Sequence, residues 1–271
     1  MNTTILEVGD VSKVFHVKRA GIVDDLVAVD GVSFSIEQGR CLAIVGESGS
    51  GKSTIARMVA GLEKPTTGTI VVGGKPRGQL PWPRADRRTF ARQVQMVFQD
   101  PNSSLNPSQT IEDSLLEVLR FHHPERDGSW RQKRISELLE QVGLHERHRA
   151  VRPRRLSGGE KQRAAISRAL AAEPQLLILD EAVSALDVSV QALVLNLLTE
   201  LRSRLGLTYL FISHDLGVVR QVSDDAIVMR QGVVVERGAT QAILDDPEHE
   251  YTRALQDAVP RPGWKPARRA L

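Results

Sequence analysis

The stretch that most limits how this chain can fold is Gly46-Glu47-Ser48-Gly49-Ser50-Gly51-Lys52-Ser53, entered directly from the apolar run Cys41–Val45. Five apolar residues without alternation predict a strand covered on both faces. After the glycines, Ile55, Met58 and Val59 recur at helical spacing, and Gly61 is a natural stop for the helix they predict. A buried strand, a tight glycine loop and a helix, in that order, begin a parallel α/β sheet. The spacing is also G-x-x-x-x-G-K-[ST], in the strand-to-helix context that this motif needs. Glycines let the backbone wrap closely, so that its N–H groups face phosphate oxygens. The helix beginning at Lys52 adds a positive dipole end. On this reading Lys52 bridges β- and γ-phosphates, and the Ser53 hydroxyl ligates Mg²⁺. The bland alternative, a chance glycine-rich turn, leaves the flanking strand and helix unexplained.

The rest of the chain repeats the strand-and-helix alternation. Ile5–Phe15 and Ala28–Ile36 alternate as strands do, Glu37-Gln38-Gly39-Arg40 is a turn, and Thr69–Val72 is a further strand between glycine turns. From about Asp100 to Arg155 the sequence becomes charged and helical in pattern. Ile111, Leu115, Leu116 and Leu119 form one such series, and Ile135, Leu138, Leu139 and Val142 another. Later come a helix ending near Ala172, a strand Leu176–Leu179, a helix Val188–Leu205, and strands at Thr208–Ile212, Ala226–Met229 and Val233–Glu236. The expectation is a mainly parallel sheet with helices on both faces and a helical subdomain, about 100–156, inserted between core strands. No internal repeat is visible. The tail after Pro260, with Pro262, Gly263 and Pro266, is expected to be poorly ordered.

Composition sets limits on function. The 271 residues are 41% apolar and 25% charged, ordinary for a globular protein. No stretch reaches the ~18 continuous apolar residues of a membrane-spanning helix. Met1–Gly9 lacks the basic-then-apolar order of a signal peptide, and the single cysteine, Cys41, excludes an internal disulfide, so a reducing cytosol is expected. Basic residues gather at Arg84–Arg92, Arg147–Arg155 and Arg253–Arg269, although the net charge is only +3. Solvated helix faces and a loose terminus explain them most simply. Contact with lipid headgroups or a membrane partner comes second. Nucleic-acid binding comes third, because no interleaved aromatics or recognition motif accompany the charge.

Two further sites carry chemistry. Leu176-Leu177-Ile178-Leu179-Asp180-Glu181 is an apolar strand delivering two carboxylates at its C-terminal end, where ligands bind in open α/β sheets. Alone it would be structural. Paired with the phosphate loop, Asp180 is expected to hold Mg²⁺ and Glu181 to act as general base on the attacking water. Leu156-Ser157-Gly158-Gly159-Glu160 is a second glycine-bearing loop, placed just before the apolar run that ends in Asp180-Glu181.

With these motifs in this order, the chain resembles an ATP-binding cassette (ABC) transporter subunit from about Leu6 to Pro260. The resemblance implies a P-loop NTPase (RecA-like) α/β core, with an N-terminal antiparallel β subdomain and the inserted helical subdomain. It implies a cassette over 1–245 and a C-terminal extension over 246–271. Gly46, Ser48, Gly49, Ser50, Gly51, Lys52, Ser53 and Thr54 then bind ATP, with Mg²⁺ at Ser53, Gln99 and Asp180. Phe15 matches the aromatic that stacks on adenine, Gln99 the Q-loop glutamine, and His214 the switch histidine that contacts the γ-phosphate. Without the other motifs, His214 would read as a capping residue at a strand end, and Gln99 would carry no reading at all. Ser184-Ala185-Leu186-Asp187 matches the D-loop. In such proteins two cassettes pair head to tail, so Ser157, Gly158 and Gly159 would cap the partner's nucleotide.

Gln99-Asp100-Pro101-Asn102-Ser103-Ser104-Leu105-Asn106-Pro107, Ser213–Val219 and Asp246–Leu255 are similar to the dipeptide, oligopeptide and nickel importer branch. That implies a second, different cassette, two permeases, an extracytoplasmic binding protein, and a place on the cytoplasmic face of the membrane. Cys41 alone cannot hold the iron–sulfur cluster of some subunits, so the chain resembles the cluster-free partner. The chain departs from the pattern at Glu160 where glutamine is commoner, at Ala182-Val183 after the Asp-Glu pair, and at Glu250 where proline is usual. Nickel or metal-chelate import is the nearest alternative. A soluble ABC ATPase acting on nucleic acid is a different class, but those proteins usually carry two cassettes or a long coiled coil, for which the interval from Lys52 to Ser157 leaves no room. A phosphate-loop kinase leaves Leu156–Glu160 unexplained.

Overall fold

In the computed structural model, which describes residues 3–19, 22–77, 84–101 and 104–257, the apolar runs become two sheets. The start of the N-terminal segment (Met1, Asn2), Asn102 and Ser103, and the tail from residue 258 lie outside the described residues. The first sheet is antiparallel. Its long pair, β1 (Thr4–Arg19) and β2 (Ile22–Glu37), is extended by β4 (Thr67–Val72) and the two-residue β5 (Lys75–Pro76), in the order β2-β1-β4-β5.

The second sheet has six strands: β10 (Val233–Ala239), β9 (Asp225–Arg230), β3 (Cys41–Val45), β8 (Thr208–Ser213), β7 (Leu176–Asp180) and β6 (Val94–Val97), in that spatial order. From β9 to β6 every pairing is parallel, and β10 closes the edge antiparallel. The continuous apolar runs follow from burial on both faces. Cys41, Ala43, Leu177, Leu179, Tyr209 and Phe211 enter one core cluster, while Leu42, Ile44, Leu176, Ile178, Leu210 and Ile212 enter the other. Helix α1 (Lys52–Ala60) puts Ile55, Met58 and Val59 into the second cluster, beside Ile5, Leu6 and Val8 of the antiparallel sheet. The fold is thus an α/β cassette with an antiparallel sheet laid over one face of a mainly parallel one. Burial on both sides also pushes the Cys41 thiol up to about 12, which leaves it inert.

Helices α2 (Arg84–Gln93), α3 (Ile111–His122), α4 (Gly128–Gln141) and α5 (Gly158–Leu170) surround β6 in sequence, and the last three separate it from β7. The start of α3 is fixed by a capping box in which Thr110 and Asp113 satisfy each other's backbone N–H groups. Asp127 caps α4. The basic residues of 147–155 are not all solvated. Arg149 is largely covered, pairs with Glu112 at 2.9 Å and with Glu146, and ties α3 to the one-turn 3-10 segment Glu146–His148. In the 84–92 cluster, Arg92 pairs with Glu173 at 3.0 Å.

The remaining helices are α6 (Val188–Leu205), α7 (Leu216–Val222), α8 (Thr240–Asp245) and α9 (Glu250–Asp257). Of these only α6 shows in the apolar pattern. The other three span two turns or so, too little for a period to emerge.

Candidate active site

Parallel strands bring their C-terminal ends to one edge. Val45 lies beside Ser213, Asp180 beside Ile212, and Leu179 beside Val97. The loops that begin at Gly46, His214, Glu181 and Gln99 therefore leave the sheet next to one another, although they are far apart in sequence. This is where open α/β sheets bind ligands.

The phosphate loop is built so tightly that two of its glycines are obligatory. Gly46 has φ 151° and Gly51 has φ 101°. A Cβ at Gly46 would stand 2.2 Å from the Met229 carbonyl oxygen, and one at Gly51 would stand 2.3 Å from that of Ala28. Main chain cannot yield as a side-chain tip can, so the loop is wedged between two neighbouring strands. Gly51 caps α1 without any side chain, leaving the first N–H groups of that helix for an anion. Ser48 and Gly49 are exposed at the loop's crest, and Ser50 is buried beneath it. Thr54 is half-buried in the first turn of α1.

Lys52 is only 4% exposed, and its ammonium donates to the carbonyls of Gly46 at 2.8 Å and Glu47 at 2.7 Å. Burial lowers its pKa, and the charges of Glu181, Asp180 and Glu47 oppose that fall. Beside it the Ser53 hydroxyl donates to the Asp180 carboxylate at 2.9 Å. Burial and the neighbouring Glu181 raise the Asp180 pKa, while the Ser53 hydrogen bond restrains the rise. A hydroxyl and a carboxylate are the hard oxygen donors that Mg²⁺ takes. Set beside an uncapped helix N-terminus and the narrow glycine cradle, they fit a magnesium-bound triphosphate.

Glu181 is a non-glycine residue with φ 48°. Its N–H still bonds the Ile212 carbonyl at 3.0 Å, so the sheet fixes one side of a left-handed residue, an arrangement that costs strain and clusters at functional sites. The turn aims its carboxylate across to β8, where Oε1 lies 3.4 Å from Nδ1 of His214. Glu181 is partly covered and His214 more than half exposed, so the pair sits at the mouth of the site. Such a carboxylate can take a proton from water. Gln99 is exposed just past the end of β6.

The other expected residues lie on different elements. Phe15 is on β1, half-buried, with the Lys13 ammonium 4.7 Å from its ring centroid. Ser157 caps α5 in a capping box with Glu160, and its hydroxyl and N–H both donate to the Glu160 carboxylate, at 2.8 and 2.9 Å. Gly159 packs on the helix that Asp187 caps, since a Cβ there would meet Val190 Cγ1 at 2.4 Å. The side-chain hydrogen bonds and ion pairs of Ser157 and Glu160 are with each other and with His148, whose Nε2 lies 3.3 Å from Glu160. The phosphate loop and Ser157 are therefore separate groupings.

Sequence reasoning missed two supporting residues. His148 had no motif to mark it. Tyr251, whose hydroxyl accepts a hydrogen bond from the Glu47 N–H at 3.1 Å, lay inside the C-terminal stretch 246–255 but gave no sign of its target.

A glycine cradle and a buried lysine after β3, with an Asp-Glu pair at the end of β7 two strands away in the same parallel sheet, define a phosphate-loop NTPase. The family is narrower: its model, described as ABC transporter, matches residues 29–184, and the chain belongs to the ABC transporter family. It is 46% identical over 261 residues to the oligopeptide transport ATP-binding protein AppF of Bacillus subtilis (strain 168), covering 95% of this chain and 78% of that one. With the di/tripeptide transport ATP-binding protein DppF of Pseudomonas aeruginosa (strain UCBPP-PA14) it shares 42% identity, covering 95% and 79%. Among solved structures, a dimeric ATP-binding cassette in a post-hydrolysis state, bound to ADP and Pi, superposes with a TM-score of 0.76 at 28% identity, covering 87% of this chain and 99% of the other. CbiO1 of Clostridium perfringens, part of an ABC transporter complex, gives 0.77 at 28% identity, covering 91% and 92%.

Proposed function

We propose that this chain is the ATP-hydrolysing subunit of a membrane importer for peptides of the dipeptide or oligopeptide class. One observation carries the reading: Lys52, Ser53, Asp180, Glu181 and His214 converge at one end of the parallel sheet, where Ser53 hydrogen-bonds Asp180 and His214 meets Glu181. They do so in a chain whose relatives are named for oligopeptide and di/tripeptide transport.

The roles follow from the chemistry of each position. The loop from Gly46 to Thr54 and the start of α1 hold the triphosphate, and the Lys52 ammonium, held by the Gly46 and Glu47 carbonyls, presents its remaining donor to the β- and γ-oxygens. Ser53 and Asp180 are oriented by their mutual hydrogen bond to hold Mg²⁺, and Gln99 stands at the same edge to join them. Mg²⁺, when bound, neutralises charge on the phosphate oxygens. Glu181 accepts the proton of the attacking water, and His214 keeps the carboxylate aimed while facing the γ-phosphate. Phe15 supplies a surface for adenine. Ser157, Gly158, Gly159 and Asp187 face the nucleotide of a second cassette, a different chain of the same kind.

In this reading residues 1–245 form the cassette and 246–271 a C-terminal extension. The helical insertion of about 100–156 carries the closure of the cassette pair to two permeases, on the cytoplasmic face of the membrane, and an extracytoplasmic binding protein delivers the peptide. No helix among the described residues is long and apolar enough to cross a membrane. The test is reconstitution of the chain with its permeases and second cassette in vesicles. ATP-dependent peptide uptake is expected, with the ATPase stimulated by the peptide-loaded binding protein. Uptake of metal chelates but not peptides would reassign the substrate. ATPase stimulation by nucleic acid, without association with permeases, would overturn the transport reading.

A further inference from the structure

One side chain of the C-terminal stretch 246–257 reaches the phosphate loop. Tyr251, in the first turn of α9, is buried against the main core, and its hydroxyl takes the Glu47 N–H at 3.1 Å. That N–H and the Gly46 carbonyl belong to one peptide unit, which is planar and turns as a body. The carbonyl end of the same unit accepts from the Lys52 ammonium at 2.8 Å. Gly46, with no side chain, offers little resistance to such a turn. An acceptor fixed on the N–H side therefore sets where the lysine's carbonyl partner points.

We infer that Tyr251 is a positioning residue for Lys52, acting through the 46–47 peptide, and that α9 thereby sets the affinity of the loop for a nucleoside triphosphate. The inference rests on the assignment of that loop as the ATP site.

The surroundings hold Tyr251 still enough to do this. The Glu236 carboxylate accepts from the N–H groups of Glu248 at 2.9 Å and His249 at 3.2 Å, pinning the approach to α9 onto β10. Arg253 folds back on the carbonyls of Pro247 and Glu248, at 3.0 and 2.6 Å, and Gln256 reaches the carbonyl of Leu244. On the other side the Arg230 guanidinium lies 5.0 Å from the centroid of the Tyr251 ring. Arg230 directly follows Met229, whose carbonyl is the wall behind Gly46. The end of β9 and the first turn of α9 thus grip the first peptide of the loop from two directions.

A simpler view makes Tyr251 a core aromatic whose hydroxyl has found the nearest donor, as buried tyrosines do. Tyr251→Phe separates the two views, because it keeps the ring and removes only the acceptor. In the full chain we expect the Kd and KM for ATP to rise about 3- to 10-fold, the size one lost hydrogen bond carries. At saturating ATP, kcat should stay within about twofold of the parent, and the melting temperature should be close to unchanged. Unaltered ATP affinity would overturn the inference. So would a weakening matched by a fall in melting temperature, since that marks a general packing role. Lys52→Ala, measured in parallel, guards the underlying assignment: if it binds ATP as the parent does, the ATP site itself is misplaced and the inference falls with it.

Discussion

The two glycine loops of this chain are built in opposite ways. Around Gly46–Ser53 the fold closes in: Lys52 and Asp180 are buried, and both Gly46 and Gly51 press against main-chain oxygens of neighbouring strands. Around Ser157–Gly159 the fold stops short. Ser157 and Gly158 are exposed, and a Cβ on Gly158 would meet nothing nearer than Leu186 Cδ2 at 3.5 Å. Yet the second loop is no less shaped. Its capping box fixes Ser157 from both sides, and hydrogen bonds from Ser157 hold the Glu160 carboxyl below the usual range. One loop is finished by its own chain. The other is organised but turned outward, which suits a group that completes a neighbour's site.

The largest effect expected is on the inward half. Glu181→Gln removes the proton acceptor and leaves the cradle untouched, so kcat should fall by about 10³-fold, within the range of general-base losses, with ATP binding retained. Single-turnover assays of the purified assembly with equilibrium ATP binding would check it. Hydrolysis near the parent rate would deprive the sheet edge of its assigned base. Next comes Lys52→Ala. Loss of the buried charge proposed to hydrogen-bond the phosphates should weaken ATP binding about 10- to 100-fold. A mere fall in kcat at unchanged affinity would mean that the inward loop does not grip the triphosphate through its lysine.

Much of this contrast was legible in the sequence, for physical reasons that differ by element. The strand–loop–helix from Cys41 to Ala60 is local, and its glycines are required by close backbone approach, so composition and spacing reveal it. The apolar strands β7 and β8 announce themselves because both their faces are buried. What pattern could not reveal was anything set by distant partners. Tyr251 meets Glu47 across 204 positions, and Arg149 spends its charge inside the helical group although it lies in a basic cluster that looks solvated. The φ of Glu181 is equally silent, because an acidic residue after an apolar strand carries no mark of a left-handed turn. Helices as short as α7, α8 and α9 have no period to read.

The outward half should respond in a different currency. Ser157→Ala removes the hydroxyl and the cap but nothing near Lys52, so kcat is expected to drop about 10-fold while ATP binding to the isolated chain holds; loss of the cap alone costs about 1 kcal/mol. If the isolated chain instead lost ATP affinity, the two halves would share one site, and the contrast would be gone.

The finest test concerns Glu160, where the sequence departs from the usual glutamine. Nδ1 of His148 lies 2.8 Å from the His145 N and 3.1 Å from the His145 carbonyl oxygen; with the shorter N–H contact donating to it, the proton stands on Nε2, which faces Glu160 Oε1 at 3.3 Å. A carboxylate answers both demands at once, since one oxygen takes the Ser157 groups and the other takes His148. An amide has a single oxygen. If it caps Ser157, its NH₂ is turned against the Nε2–H of a buried histidine, donor against donor. Glu160→Gln should therefore lower kcat about 2- to 5-fold, and His148→Leu should do much the same by leaving the carboxylate without its second partner. Combined, the two changes remove the clash together, so the double variant should recover most of the loss rather than add the two. Such coupling is what contacting residues show and distant ones do not. Strict additivity in a double-mutant cycle on kcat would mean that His148 and Glu160 act apart, and that the outward loop owes its shape to the Ser157 cap alone.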